Sequence, residues 1–496
     1  MKKCVVIGAG LGGLSSGLIL ARNGYDVTVL EQERQVGGCL QCFVRGGVKY
    51  ETGMHFIGSA DKGQVLYRFL RYLDIIDDIQ LSRLDVNGYD VVSLLGQQFR
   101  FANGGEQFVE TLAKDFPHER DNLWRYYQLV EQVAGSSSLH TLRLDESAGA
   151  PLNTQYQLLS INAVLDEIIG DEMLRNVLVG NLPLYAATYG KTPFSTHAFI
   201  ADFYNQSAFR VVGGSDAIAH SLVKKLQEAG GKVLCARKAT KIVCEDGVAS
   251  GVETGGFFPA DVVVAAIHPA RVLELCDSPM LRPAFRRRIA SLPQTIGGFS
   301  VYLKFKPDTV PYMNSNFYGY RQSTPWGCED YNEETWPKGY LYMHFCNKEQ
   351  QQYAANGILI SYMHFKEVEK WMGTKVGRRG DDYERMKKRK AELLLDLVEK
   401  DFPGFRNSLQ EYHTSTPLTY YDYTGTEQGG MYGIAKEISE GMATRVHHRT
   451  KIPNLLLTGQ NVNSHGILGV LVGTMVTCAE LLTTQRIFND IIQANR

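Results

Sequence analysis

Five residues of a β-branched run, Lys3-Cys-Val-Val-Ile7, lead straight into Gly8-Ala-Gly-Leu-Gly-Gly13 and then into the helical stretch Leu14-Ser-Ser-Gly-Leu-Ile-Leu-Ala21. Gly8, Gly10 and Gly13 give G-x-G-x-x-G between a strand and a helix, the arrangement that binds a dinucleotide diphosphate. Gly8 permits the turn, Gly10 lets the backbone approach a pyrophosphate, and Gly13 lets helix pack on strand. The diphosphate then sits on the helix N-terminus, where orphan N–H groups and the helix dipole attract anions. A second strand, Tyr25-Asp-Val-Thr-Val-Leu30, ends at Glu31, whose carboxylate can accept from both ribose hydroxyls and disfavours a 2′-phosphate. Gly37 and Gly38 follow closely.

Cys39 and Cys42, in Val36-Gly-Gly-Cys-Leu-Gln-Cys-Phe43, have C-x-x-C spacing and raise the alternative of a redox dithiol. A flavin disulfide reductase needs a second dinucleotide fingerprint for its nicotinamide, and none follows in the chain. Packing cysteines beside the nucleotide loop are the expectation. The nine cysteines are scattered and odd in number, which reads as reduced cytoplasmic thiols. The apolar start is broken by glycines too early for a signal peptide. With 44% hydrophobic and 21% charged residues and a formal net charge of −1, no global field favours nucleic acid. Peripheral membrane contact stays open, and oligomeric state is not legible. Gly13-Leu-Ser-Ser-Gly17 spells G-x-S-x-G only inside the helical stretch and not as a strand-to-helix elbow, and no H-E-x-x-H spacing is present, so hydrolase chemistry and a metal site are not expected.

Further along, Lys49-Tyr-Glu-Thr-Gly-Met-His-Phe-Ile-Gly58, Phe209-Arg-Val-Val-Gly-Gly214, Thr416-Pro-Leu-Thr419 with Gly430-Met-Tyr-Gly433, and Pro453-Asn-Leu-Leu-Leu-Thr-Gly-Gln-Asn461 followed by Gly466-Ile-Leu-Gly469 occur in that order. Together with the Gly37-Gly38-Cys39 block, they resemble the all-trans-retinol 13,14-reductase (retinol saturase) family and its relatives, the carotenoid isomerases and phytoene desaturases. The resemblance runs from Val5 to about Leu482. Asn461 stands where saturases usually carry an acidic residue, and Val470 where they carry alanine.

The resemblance implies an α/β class, α+β overall. It implies a Rossmann-type FAD-binding domain of the glutathione-reductase/amine-oxidase superfamily, with an interleaved sheet-plus-helix substrate domain. The cofactor domain is expected over 1–75, 208–295 and 412–496. The substrate domain is expected over 76–207 and 296–411, with a helical insert at about 105–200. FAD-binding residues are then Gly8, Gly10, Leu11, Gly12, Gly13, Glu31, Gln32, Arg34, Gly37, Gly38, Cys39, Met54, His55, Ala239, Gly459, Gln460, Asn461, Gly466, Ile467 and Leu468. The implied activity is FAD-dependent oxidoreduction of C=C or CH–CH bonds in an apolar retinoid-, carotenoid- or isoprenoid-like molecule. His55, Tyr432 and Tyr420 are candidates for placing a proton. Desaturation and redox-neutral isomerisation are the alternatives within enzymes. The non-catalytic prenyl-binding module of GDP-dissociation inhibitors is the alternative outside them, opposed by the intact glycines, Glu31 and Thr458-Gly-Gln460. The electron donor stays open between NAD(P)H, a quinol and a partner protein.

Two further expectations concern the substrate half. Tyr342-Met-His-Phe345 and Tyr362-Met-His-Phe365 read as repeats on neighbouring strands, either cavity wall or half-buried sheet. The helix beginning Asp381-Asp-Tyr-Glu-Arg-Met-Lys-Lys-Arg-Lys390 is expected to bury Leu393, Leu394 and Leu397 and to expose its basic run.

Overall fold

The computed structural model describes residues 1–138, 155–438 and 445–496. Five short strands form a fully parallel sheet in the order Lys232–Leu234, Asp26–Leu30, Lys3–Ile7, Val262–Ala265, Leu455–Leu457. The central strands are almost unbroken Val, Ile, Ala and Leu because helices or loops cover both of their faces. Helix Leu11–Arg22 lies against the sheet, and the glycine spacing explains how closely: a Cβ on Gly13 would stand 1.9 Å from the Gly8 carbonyl oxygen. Its neighbours are the helices Asp216–Glu228 and Gly466–Leu482. An antiparallel trio, Lys241–Glu245, Val248–Glu253 and Phe257–Pro259, sits beyond, its first turn at Glu245-Asp-Gly247.

A second sheet has seven strands, in the order Leu409–Ser415, Gly297–Phe305, Asn356–Met363, Gly339–His344, Asn316–Tyr320, Asp90–Leu94, Gln97–Phe101. Only the Asn316–Tyr320 and Asp90–Leu94 pairing is parallel. Period-2 alternation divides its side chains between two cores. Phe299, Val301, Leu303, Phe317 and Leu359 pack with Leu394 and Val398 of helix Asp381–Asp401. Tyr302, Tyr318, Leu341, Met343 and Ile358 face the opposite core, with Tyr126, Val130, Val164 and Phe194. Those last residues belong to the helices Arg120–Gly135, Ile161–Ile168 and Phe194–Gln206. Part of the expected helical insert, 139–154, lies outside the described residues.

The repeated Tyr-Met-His-Phe blocks do fall on adjacent antiparallel strands. Tyr342 and Tyr362 nevertheless enter opposite cores, because the antiparallel register pairs Tyr342 with Leu359. The basic helix departs from expectation at two positions. Leu393 is 39% exposed, whereas Lys390 is 4% exposed, with its ammonium 2.8 Å from Glu367 and 4.0 Å from the Trp336 ring centroid. A buried lysine with a carboxylate and an aromatic face is a satisfied cation. Among the described residues, no helix is long and apolar enough to cross a membrane.

Candidate active site

The glycine turn and the second strand meet through Glu31. Its Oε2 accepts the Ala9 N–H at 2.7 Å and its Oε1 accepts the Glu33 N–H at 2.9 Å, leaving lone pairs on both oxygens for ligand hydroxyls. Gly8 has φ +98°, a conformation open to glycine. Gly10 is different: its φ of −75° suits any residue, and a Cβ there would meet no atom within 4 Å. The space over Gly10 is a cradle for a diphosphate facing the first turn of Leu11–Arg22. Gly37 donates to the Ala9 carbonyl at 2.8 Å, and Gly38 lies so close that its Cβ would be 3.3 Å from Gly10 Cα. Ala236 and Arg237 donate to the carbonyls of Glu33 and Glu31, which brings the loop carrying buried Ala239 to the same strand end.

The last segment of the chain closes on the first. A Cβ on Gly12 would lie 3.2 Å from Gly459 Cα and 3.4 Å from Val470 Cγ1. After strand Leu455–Leu457, helix Gly466–Leu482 starts with its N-terminus toward this junction. The hydroxyl of Thr458 and Nε2 of His465 are buried without a hydrogen-bond partner among the described residues. Two orphaned polar atoms beside an anion cradle, a carboxylate at the ribose position and a second helix N-terminus together fit a flavin dinucleotide. Asn461 is already engaged: its Oδ1 accepts the Ile434 N–H at 2.9 Å and its carbonyl accepts from Lys436 Nζ at 3.3 Å. Gln32 and Arg34 are exposed, and Met54 is half-buried.

Beside the start of that helix is a cavity of about 510 Å³. Its walls include Phe199, Ile200, Phe203 and Tyr204 of helix Phe194–Gln206, opposite Gly466, Ile467 and Leu468. None of the residues Gly8 to Gly13, Glu31, Gly37 or Gly38 lines it, whereas Gly466, Ile467 and Leu468 do, so it meets the dinucleotide site at the start of helix Gly466–Leu482. It is large enough for a small apolar ligand. Lys436, Arg445 and His465 also line it. Burial and the neighbouring Lys436 push His465 down to about 3, so its imidazole is neutral.

The three proton-placing candidates are not among the residues lining this cavity. His55 is buried, with Nδ1 3.4 Å from Glu51 Oε2 and its carbonyl accepting from Arg210 Nη1 at 3.1 Å. Burial raises the Glu51 carboxyl. Tyr420 donates its hydroxyl to the Thr52 carbonyl at 2.6 Å, and Tyr432 to the Pro183 carbonyl at 2.9 Å, while the Tyr432 ring lies 4.5 Å from that of His465. Burial pushes the Cys39 thiol up to about 11 and Cys42 up to about 12, and Cys42 sits 3.6 Å from the Ser215 hydroxyl. Such thiols are poor nucleophiles, which accords with packing residues. Sequence reasoning passed over Lys436, Arg445 and His465. The position of His465 immediately before Gly466 is the one local signal that could have found it.

The chain is similar to known proteins over nearly all its length. It is 27% identical to the all-trans-retinol 13,14-reductase of Rattus norvegicus, an alignment covering 98% of this chain and 86% of the relative. It is 23% identical to prolycopene isomerase 2, chloroplastic, of an Oncidium hybrid cultivar, covering 92% and 79%. An oxidoreductase from Methanosarcina mazei has the same fold, with a TM-score of 0.65 at 17% identity, covering 96% of this chain and 99% of the other. The family described as flavin containing amine oxidoreductase matches residues 11–472. With a glycine cradle, a ribose carboxylate and a closing C-terminal helix in place, this chain belongs to the flavin-containing amine oxidoreductase family and is a FAD-dependent oxidoreductase.

Proposed function

We propose that this oxidoreductase acts on C=C or CH–CH bonds of an apolar conjugated substrate of the retinoid, carotenoid or isoprenoid kind, in the saturating direction. The observation that carries the reading is the cavity of about 510 Å³ whose aromatic and aliphatic helix wall faces the first turn of Gly466–Leu482. The names of the relatives, a retinol reductase and a prolycopene isomerase, support the same substrate class.

FAD, held by Gly8 to Gly13, Glu31, Gly37, Gly38 and the segment Gly459–Leu468, would supply hydride chemistry at carbon. The chain's own part is to exclude water, hold the polyene against the wall of Phe199, Ile200, Phe203 and Tyr204, and manage one proton. The His55–Glu51 pair is the proposed proton reservoir, since burial raises the Glu51 carboxyl and His55 Nδ1 lies beside it. Tyr420 and Tyr432 spend their hydroxyl protons on backbone carbonyls and are proposed as positioning residues. The same reading divides the chain into a discontinuous cofactor part, 1–75, 208–295 and 412–496, and a substrate part between.

The test is anaerobic incubation of dithionite-reduced holoenzyme with all-trans-retinol and a carotenoid panel, following flavin reoxidation and product mass. Reoxidation with a two-hydrogen mass gain in product is expected. If no conjugated polyene reoxidises the flavin, the saturating reading is wrong.

A further inference from the structure

We propose that the cavity takes an amphipathic substrate whose apolar polyene chain ends in an anionic headgroup, a carboxylate, and that Lys436 and Arg445 are the residues that recognise it. The proposal rests on the oxidoreductase reading above and deepens it by naming the polar end of the substrate.

Both side chains line the same cavity as Phe199, Ile200 and Phe203. Among the described residues neither makes an ion pair, and the one hydrogen bond recorded for either side chain is from Lys436 Nζ to the Asn461 carbonyl, at 3.3 Å. Glu437 also lines the cavity, is engaged in an interaction, and is not among the groups that shift either cation. Enclosure and the neighbouring Arg445 lower Lys436 to about 8, and burial lowers Arg445. Among the described residues the cavity lining carries these two half-buried cations against the single carboxylate of Glu437, and the cations destabilise each other's charge. An anion entering between them would offset that repulsion.

The geometry supplies the rest of the molecule. The same cavity is lined by Phe199, Ile200, Phe203 and Tyr204 of helix Phe194–Gln206, with Ser195 and Thr196, and by Ile467, Leu468 and Val472 of helix Gly466–Leu482. An apolar tail packed on these side chains with its headgroup on Lys436 and Arg445 would fix which carbon lies near the start of helix Gly466–Leu482. Arg offers a planar fork matched to a carboxylate and Lys a compact charge, so the pair suits a monocarboxylate. An alcohol headgroup would bring no charge to this excess of cations.

The experiment titrates oxidised holoenzyme with all-trans-retinoate and, separately, all-trans-retinol, reading the flavin absorbance difference spectrum, which requires no turnover. Retinoate is expected to bind about 10-fold tighter or better, the size of one charge-assisted hydrogen bond. In Lys436→Gln and Arg445→Gln the retinoate-to-retinol affinity ratio should fall toward one, while Lys436→Arg keeps it. Flavin content measured on each variant separates the headgroup role from a cofactor role. Equal affinities for the two headgroups in the unaltered enzyme would overturn the proposal. So would loss of FAD from Lys436→Gln, which would assign the cations to the cofactor. If the carboxylate preference is present but no polyene of either kind reoxidises the reduced flavin, the headgroup site stands and the saturating activity falls.

Discussion

Glu31 Oε2 accepts the Ala9 N–H at 2.7 Å, so the carboxylate that ends the second strand also fixes the turn between the first strand and the first helix. One side chain thereby serves two tasks: it shapes the glycine turn from within and offers its remaining lone pairs outward. Glu31→Gln keeps the volume but turns one acceptor into an NH2, which then faces a backbone N–H. Expected outcomes are loss of most bound FAD and a destabilisation of about 2–3 kcal/mol, from one broken charge-assisted bond and one unsatisfied donor. Flavin-to-protein absorbance ratio and thermal melting read the two effects separately.

Gly10 and Gly13 should fail in different ways. A Cβ on Gly13 would stand 1.9 Å from the Gly8 carbonyl oxygen, so Gly13→Ala must push helix Leu11–Arg22 off its strand. The expected cost is about 3 kcal/mol, seen as a depressed melting temperature even without flavin. Gly10→Ala meets no protein atom within 4 Å and needs no unusual φ, so the fold should survive. Its methyl would occupy the diphosphate cradle, and the purified protein should be colourless with an apoprotein melting temperature close to that of the unaltered chain.

Acid should destabilise the protein through histidines that fold neutral. Burial lowers His197 from 6.5 to about 4 and His344 from 6.5 to about 3. His344 Nδ1 accepts the Met313 N–H and Nε2 pairs with the Tyr342 hydroxyl, so a second proton would face a donor. The folded values lie below the unfolded one, so the unfolded chain binds more protons as pH falls. Stability is therefore full above 6.5 and declines between 6.5 and about 4, by up to about 1.4 kcal/mol per pH unit for each histidine. Asp90, raised from 3.8 to about 7 by burial, runs the other way and offsets one proton over much of that range. Melting temperatures should not fall between pH 7.5 and 6.5 and should decline from pH 6.5 to 4.5. His344→Gln should flatten the slope and Asp90→Asn steepen it.

The parts of this site that could be read in advance are those where chemistry dictates residue and spacing together. Gly8, Gly10, Gly13 and Glu31 are legible because phosphate approach, helix packing and ribose binding each demand one residue type at one place in a strand–turn–helix. The parallel strands Lys3–Ile7 and Asp26–Leu30 are legible because each is a short apolar, β-branched run that stops at the glycine turn or at Glu31. The cavity was not. Its walls come from helix Phe194–Gln206, from Lys436 and Arg445, and from the start of helix Gly466–Leu482, and no periodicity relates them. Lys390 shows the same limit: a basic run signals solvent, and only the tertiary meeting with Glu367 and Trp336 turns its last member inward.

Proton placement gives the last test. His55 and Glu51 are both buried, 3.4 Å apart, with Arg210 fixing the His55 carbonyl and its charge lowering Glu51 against the larger rise caused by burial. If this pair is the proton reservoir, His55→Ala should slow polyene-driven reoxidation by about 100-fold, the lower end of general acid–base contributions, without loss of FAD. Glu51→Gln removes the proton-holding partner and should slow it in the same direction. Tyr420→Phe and Tyr432→Phe each delete one hydroxyl-to-carbonyl tether, worth about 1 kcal/mol, and should lower the melting temperature while changing the rate per bound flavin less than 10-fold. Rapid-mixing reoxidation on flavin-normalised samples measures all four variants. An unchanged rate in His55→Ala beside a large loss in Tyr432→Phe would move the proton from the histidine pair to the tyrosine.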